Sequence, residues 1–242
     1  MSNTIQIDKK HVKMVAHRGV SGLECENTCA AFVAAGNRSY FGIETDVHVT
    51  ADGQFVVIHD DRTGKVSDVD LPVEGSTREE LSEVRLYSCG RKVSPTRRDL
   101  VIPDLADYIR ICQHYGKIPV LELKNRIRTE DIRRMVALIR EIGYLEETLF
   151  ISFDWDNMLD LREILPQQKL QFLTSQWDEG LPTRLKENCL DLDIYYKALT
   201  EERVAQLHAQ GVEVNVWTCD DPAEAETLIQ WGVDYITSNI LE

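Results

Sequence analysis

Residues 41–60, FGIETDVHVTADGQFVVIHD, decide the architecture of this chain. Positions 42–50 and 55–59 are rich in Val, Ile and Thr, and Asp52-Gly53 between them is a favoured two-residue hairpin turn. With those two residues as the loop, Thr50 pairs with Phe55, His48 with Val57 and Asp46 with His59. Side chains alternate faces with period two, so Glu44, Asp46 and His59 share one face and Val47 and Ile58 the other. An apolar core has no use for two carboxylates and an imidazole together. Such a face requires a metal, a substrate or strong ionic partners.

Upstream of the hairpin, residues 12–16 read as a short apolar strand running into His17-Arg18-Gly19, and Asn27 or Thr28 can cap a helix that continues through Gly36. Downstream, residues 61–101 change character. They are polar, contain Gly64, Pro72, Gly75, Pro95 and the basic pair Arg97-Arg98, and hold one helical phrase at 77–86 that opens on the capping box Thr77-Arg78-Glu79-Glu80. The segment reads as an insertion over one end of the domain. A regular alternation follows: helix 103–115, strand 118–124, helix 129–142, strand 148–153, helix 155–165, strand 170–174, and a short helix 183–188. Strand 190–195, helix 200–210, strand 212–218, helix 222–231 and strand 234–238 complete it. Thr129, Asp154, Thr200 and Asp221 mark helix starts, and Gly143, Gly211 and Gly232 follow helix ends. Without the returning arm of the hairpin the strands number eight. The pattern predicts an α/β fold, a (β/α)8 TIM barrel forming one domain over 1–242, with 61–101 inserted in it. A doubly wound open sheet is the competitor, but HRGVSGLE lacks the GxGxxG spacing of a nucleotide-binding first turn. Glu242 comes soon after the last strand, so the final outer helix is expected to be missing or a stub.

A chain of 242 residues has ample surface to bury for a self-standing core. Its formal net charge of −14 argues against nucleic acid or an anionic membrane as the main partner. A protein this acidic needs a cation, or local Arg and Lys, to handle a phosphate ester. The six cysteines, Cys25, Cys29, Cys89, Cys112, Cys189 and Cys219, show no CxxC and no zinc-type His spacing. Cys25 and Cys29, four apart, fit one helical face, and neither a disulfide nor a metal role is expected of them in a reducing compartment. The N-terminus lacks an apolar leader core, and no stretch reaches the roughly 18 apolar residues of a membrane span. A cytoplasmic protein with no stable membrane anchor is therefore expected, its oligomeric state unreadable.

In a barrel the C-terminal strand ends carry the chemistry. The polar residues near them are His17 and Arg18, Glu44 and Asp46, Glu122 and Lys124, Ser152, Tyr195 and Lys197, Asn215 and Trp217, and Ser238 and Asn239. Glu44, Asp46 and Glu122 supply oxygen ligands for one hard divalent cation, Mg²⁺ or Ca²⁺. Glu44 taken alone reads equally as a salt-bridge partner of Lys124 or Arg18; the set taken with two histidines does not. His17 and His59 suit general acid–base work near neutral pH. Arg18 offers a bidentate fork to phosphate and Lys124 a point charge. His11, His48, His114 and His208 lack carboxylate company on a strand end and read as surface or packing residues.

These residues resemble the glycerophosphodiester phosphodiesterase family. The resemblance runs through HRG (17–19), ENT (26–28), Ala31-Phe32, IETDVHVTADGQFVVIHD (43–60), IPDL (102–105), LELK (121–124), Ser152-Phe153 and VNVWT (214–218), in family order over most of the chain. It implies a TIM barrel with a small insertion after the hairpin, and a metal on Glu44, Asp46 and Glu122. It further implies that His17 and His59 are the acid–base pair, that Arg18 and Lys124 contact phosphate, and that Trp217 lines the site. The implied reaction is metal-dependent hydrolysis of a small glycerophosphodiester to glycerol 3-phosphate and an alcohol. A lysophospholipid-type phosphodiesterase and a non-catalytic phosphodiester-binding barrel are the alternatives. Cys25 stands where the family often has proline. Asp61-Arg62-Thr63-Gly64 replaces its usual phrase after HD, on the alcohol side of the substrate. Residues 236–240, ITSNI, replace ITD-x-P, which removes an acidic residue from the eighth strand end.

Overall fold

Eight parallel strands close on themselves, and a ninth runs antiparallel on the outside of the second. The structure is a computed structural model that describes residues 3–88, 92, 93 and 96–242. In chain order the elements begin β1 (Lys13–Ala16), α1 (Cys29–Gly36), β2 (Gly42–Val49), β3 (Phe55–Val57), α2 (Arg78–Ser82), β4 (Tyr87–Ser88) and β5 (Lys92–Val93). The barrel resumes with α3 (Leu105–Tyr115), β6 (Ile118–Leu123), α4 (Thr129–Ile142), β7 (Leu149–Ser152), α5 (Trp155–Ile164) and β8 (Leu170–Thr174). It ends with α6 (Leu181–Glu187), β9 (Asp191–Tyr195), α7 (Glu201–Ala209), β10 (Val214–Trp217), α8 (Pro222–Trp231) and β11 (Tyr235–Ser238). The sheet order β1-β11-β10-β9-β8-β7-β6-β2, closed by pairing of β1 with β2, is that of a (β/α)8 barrel.

Because each strand is covered on both faces, its residues sort by parity. Ile43 and Val47 of β2 and Leu121 and Leu123 of β6 face outward and pack with Phe32, Tyr108 and Met135 of the helices. Val15, Val120, Leu149, Ile151, Leu173 and Tyr235 fill the barrel interior. A separate core lies where residues 61–101 meet the hairpin: Val56 and Ile58 pack with Val73, Leu81, Leu86 and Leu100. Cys89 and Pro95 lie outside the described residues.

The hairpin departs from its predicted register. Val49 pairs with Phe55, His48 with Val56 and Val47 with Val57, one residue out of step with the expected pairs. The loop has three residues, 51–53. Thr50 and Gln54 close it through a backbone bond of 2.9 Å, and Gly53 takes a left-handed φ of 76°. Thr50 Oγ1 donates to Asp52 Oδ1 at 2.6 Å and accepts the Gln54 N–H at 2.8 Å, so its side chain stabilises the longer loop.

Other differences are local. α2 stops at Ser82 because Arg85 and Leu86 enter bridges with Val101 and Ser67. Thr129 is the first residue of α4 rather than its cap, and its hydroxyl donates to Asp160 Oδ2 at 2.7 Å. Asp154, Thr200 and Asp221 do accept N-terminal amide protons of their helices. After β11 no helix follows among the described residues; Leu241 instead bridges to Ile5. No disulfide joins the described cysteines, and no described helix is long and apolar enough to cross a membrane.

Candidate active site

The inward parity of β2 carries Glu44 and Asp46, and the β2–β6 register sets Glu122 beside Asp46. Ligand oxygens of the three carboxylates lie within 4.8 Å of one another, and the side chains are 3 %, 0 % and 7 % exposed. The ENT and HRG phrases explain how they are held. Asn27 Nδ2 donates to Asp46 Oδ2 at 2.7 Å while its Oδ1 accepts from Thr45 at 2.7 Å. Thr28 caps α1 through the Ala31 N–H, and Glu26 binds the Arg18 guanidinium at 2.8 Å. Arg18 and Asn27 both adopt left-handed backbone, φ 53° and 54°, a conformation that costs about 1–3 kcal/mol for such residues and collects at functional sites. In this geometry the Arg18 N–H donates to Glu44 Oε2 at 2.8 Å, and its Nε lies 3.6 Å from Asp46. Gly19 follows because a Cβ there would sit 2.7 Å from Ala31.

Lys124 Nζ lies 2.8 Å from Glu122 Oε1 and 3.4 Å from Asp46 Oδ1, yet neither oxygen accepts a well-directed hydrogen bond. Three buried carboxylates face two cations, and their proton affinities divide accordingly. Burial, then Asp46 and Glu122, raises Glu44 well above the ordinary range. Burial and Asp46 push Glu122 up to about 8. For Asp46 burial acts in the same sense, but Lys124, Arg18 and His59 outweigh it and hold the group below the usual range. An all-oxygen set of three carboxyls with two undirected lone-pair sites fits a hard divalent cation, whose ligand distances are about 2.0–2.6 Å. The triad can hold a metal ion.

His17 follows β1, its ring Nδ1 2.7 Å from Asn239 Oδ1. Burial and the neighbouring Arg18 lower its pKa to about 4. His59 reaches the same cavity by a route the sequence misread. In the observed register it would stand opposite Thr45 and face outward, but β3 ends at Val57 and the chain turns after Ile58, whose N–H donates to Asp46 O at 3.1 Å. The turn brings the ring to the triad, with Nδ1 against the Asp60 carboxylate. Burial, then Arg18 and Lys124, lowers the His59 pKa against the raising effect of Asp46 and Asp60. The His59 carbonyl lies 3.4 Å from Nε2 of fully buried His48, whose Nδ1 is 2.9 Å from Glu74 Oε1. His48 is therefore no bystander: its carboxylate company comes from the inserted segment.

His17, Arg18, Glu44, His59, Glu122 and Trp217 line one cavity at the C-terminal strand ends. Lys124 borders it through its ion pairs. Trp217 lies edge-on to Phe153 and tilted to Tyr195, both with ring centroids 5.6 Å away, and its buried Nε1 has no partner among the described residues. Sequence reasoning passed over Asp193, a buried carboxyl on the same cavity wall with Oδ1 unpartnered. The alternation Leu190-Asp191-Leu192-Asp193-Ile194 was the available signal. The eighth strand end carries no acidic residue, as its sequence reads; Asp220, from the loop after β10, accepts hydrogen bonds there from Ser238 and Asn239. Ser152 Oγ donates to Leu123 O at 2.7 Å and so braces strands rather than facing the cavity. A larger open hollow, lined among others by Arg162, Lys169 and Asp191, sits at the opposite strand ends and gathers none of these groups.

The chain matches the model of the glycerophosphoryl diester phosphodiesterase family over residues 17–241. It is 27 % identical over 233 residues to a glycerophosphodiester phosphodiesterase of Caldanaerobacter subterraneus, covering 93 % of each protein. Among solved structures it resembles an Oleispira antarctica phosphodiesterase in complex with the product sn-glycerol-3-phosphate, with a TM-score of 0.87, 25 % identity, and 98 % and 96 % of the two chains covered. A glycerophosphodiester phosphodiesterase from Parabacteroides distasonis is similar at a TM-score of 0.79 and 27 % identity, with 98 % of this chain and 94 % of that one covered. The chain therefore belongs to the glycerophosphoryl diester phosphodiesterase family.

Proposed function

We propose that this protein hydrolyses small glycerophosphodiesters to glycerol 3-phosphate and an alcohol, with His17 and His59 as its acid–base pair. The observation that carries the reading is the convergence of three buried carboxylates with two separately anchored imidazoles on one cavity. The product-bound relative from Oleispira supports glycerol 3-phosphate as the product. Glu44, Asp46 and Glu122 would hold one Mg²⁺ or Ca²⁺, which would supply charge neutralisation for the phosphate and Lewis acidity toward the attacking oxygen.

The chain's own groups do the rest. One imidazole takes the proton of the attacking oxygen as the new P–O bond forms. The other gives a proton to the alkoxide that leaves as the old P–O bond breaks. Arg18 and Lys124 meet the phosphate's negative charge, and Trp217 forms an apolar wall beside it. The attacking oxygen is that of water or of a neighbouring substrate hydroxyl, and a trapped cyclic phosphate would distinguish the second.

The test is turnover of a panel of soluble diesters and lysophospholipids with Mg²⁺ or Ca²⁺, using wild type, His17→Ala and His59→Ala. Each variant should lose about 10²–10⁴-fold in kcat while its thermal unfolding stays cooperative. Near-native turnover by either variant refutes the acid–base pair.

A further inference from the structure

Behind His17 a chain of hydrogen bonds leads away from the cavity to the loop after β10. Asn239 Oδ1 lies 2.7 Å from His17 Nδ1 and 2.6 Å from Ser21 Oγ, which also stands 2.8 Å from the His17 carbonyl. On its other side Asn239 Nδ2 donates to Asp220 Oδ2 at 2.6 Å. The Asn239 backbone N–H and Ser238 Oγ both donate to Asp220 Oδ1, at 2.7 and 2.8 Å. An ionised carboxylate only accepts, so the amide has a single admissible orientation. Turned over, it would set its oxygen 2.6 Å from a carboxylate oxygen. With the amide oxygen fixed toward His17, Nδ1 must carry a proton. The lone pair of the neutral ring then sits on Nε2, which has no hydrogen-bond partner among the described residues.

We propose that Asp220, acting through Asn239, is a positioning residue that sets the His17 tautomer, so that the ring reaches the reaction with Nε2 ready to accept a proton. The logic is that of a carboxylate orienting a catalytic imidazole, with an amide interposed. This carboxylate belongs to the loop after β10 and not to the strand that carries the histidine or its direct partner. The proposal rests on the acid–base reading of His17, but its first measurement does not involve turnover.

The experiment uses the full chain supplied with Mg²⁺. Ring ¹⁵N spectra of histidine-labelled protein, with the His17 signals identified by their loss in His17→Gln, report which nitrogen carries the proton. Wild type should show protonated Nδ1 and free Nε2. Asp220→Ala and Asn239→Ala should each show a tautomer mixture and a kcat lowered by about tenfold or more, with KM within about twofold. Asp220 is solvent-exposed, so Asp220→Ala should fold. A proton on Nε2 in wild type, or an unchanged tautomer in Asp220→Ala, overturns the proposal, as does a shifted tautomer with unchanged kcat. If His17→Gln itself turns over normally, it is the acid–base reading that fails, while the tautomer result stands by itself.

Discussion

Cation binding to the triad should release protons, because the burial that gathers Glu44, Asp46 and Glu122 also keeps them partly protonated. Glu122, with its pKa near 8, is about nine-tenths protonated at pH 7, and Glu44 is raised as well. A cation that requires ionised carboxylates must displace those protons. One proton displaced weakens apparent affinity by about tenfold, about 1.4 kcal/mol, for each pH unit below 8. The assay is calorimetric titration of chelator-stripped protein with Mg²⁺ or Ca²⁺ at pH 7, in buffers of low and high ionisation enthalpy. The slope of observed heat against buffer enthalpy should show release of about one proton or more per ion at pH 7. The stability sign follows from the same groups. A carboxyl whose folded pKa is raised binds more protons in the native than in the unfolded state, so the contribution of Glu122 to the stability of the metal-free protein is lost as pH rises from 4.5 toward 8, while His17 and His59, with lowered pKa, act in the opposite sense below 6.5. Added cation should flatten that decline. Heats independent of buffer at pH 7, together with an affinity flat between pH 6 and 8, would refute the reasoning.

Two further outcomes are expected. Asn27→Ala removes the donor to Asp46 Oδ2 inside the barrel and should cost about 1–3 kcal/mol by denaturant unfolding, together with weaker cation binding; an unchanged unfolding midpoint contradicts the role assigned to Asn27. Asp193 is buried with its carboxyl pKa raised well up by burial and by Glu122, so its ionisation opposes folding as pH climbs. Asp193→Asn should therefore stabilise at pH 8 by about 1 kcal/mol, a rise of about 2–4 °C in Tm, and by less at pH 5; a gain larger at pH 5 than at pH 8 reverses the sign and sinks the account.

Much of the architecture was legible because each barrel strand carries an apolar outward row and most helices are punctuated by a cap or a glycine. The three carboxylates were legible from period two alone, since parity in β2 and β6 does not depend on the hairpin. His59 was placed by a register that the structure contradicts. Asp52-Gly53 advertised a two-residue turn, and the Thr50 side chain made a three-residue one. The ring reached the triad anyway because the strand ended early, a tertiary event no alternation pattern encodes. His48 and Asn239 were visible as residues but not as parts of a network. Their partners Glu74 and Asp220 come from segments remote in sequence, and only packing brings them together.

Residues 61–101 leave β3 and come back to it. The Val57 N–H donates to Pro103 O at 3.0 Å, and Val56 pairs with Asp104. Both ends of the segment are thus anchored one strand spacing apart, on a surface that exists without it. Each doubling of the length between such anchors adds only about 0.6 kcal/mol of closure entropy. The segment packs its apolar residues against Val56 and Ile58 in a core apart from the barrel's. It can therefore be rebuilt at little closure cost, while the triad and His17 stay on other elements. Among the described residues the segment touches the site's supports at two places: the carboxylate of Glu74 meets His48, and through it the carbonyl of His59, while Lys65 Nζ lies 3.1 Å from the Glu26 carboxylate that holds Arg18.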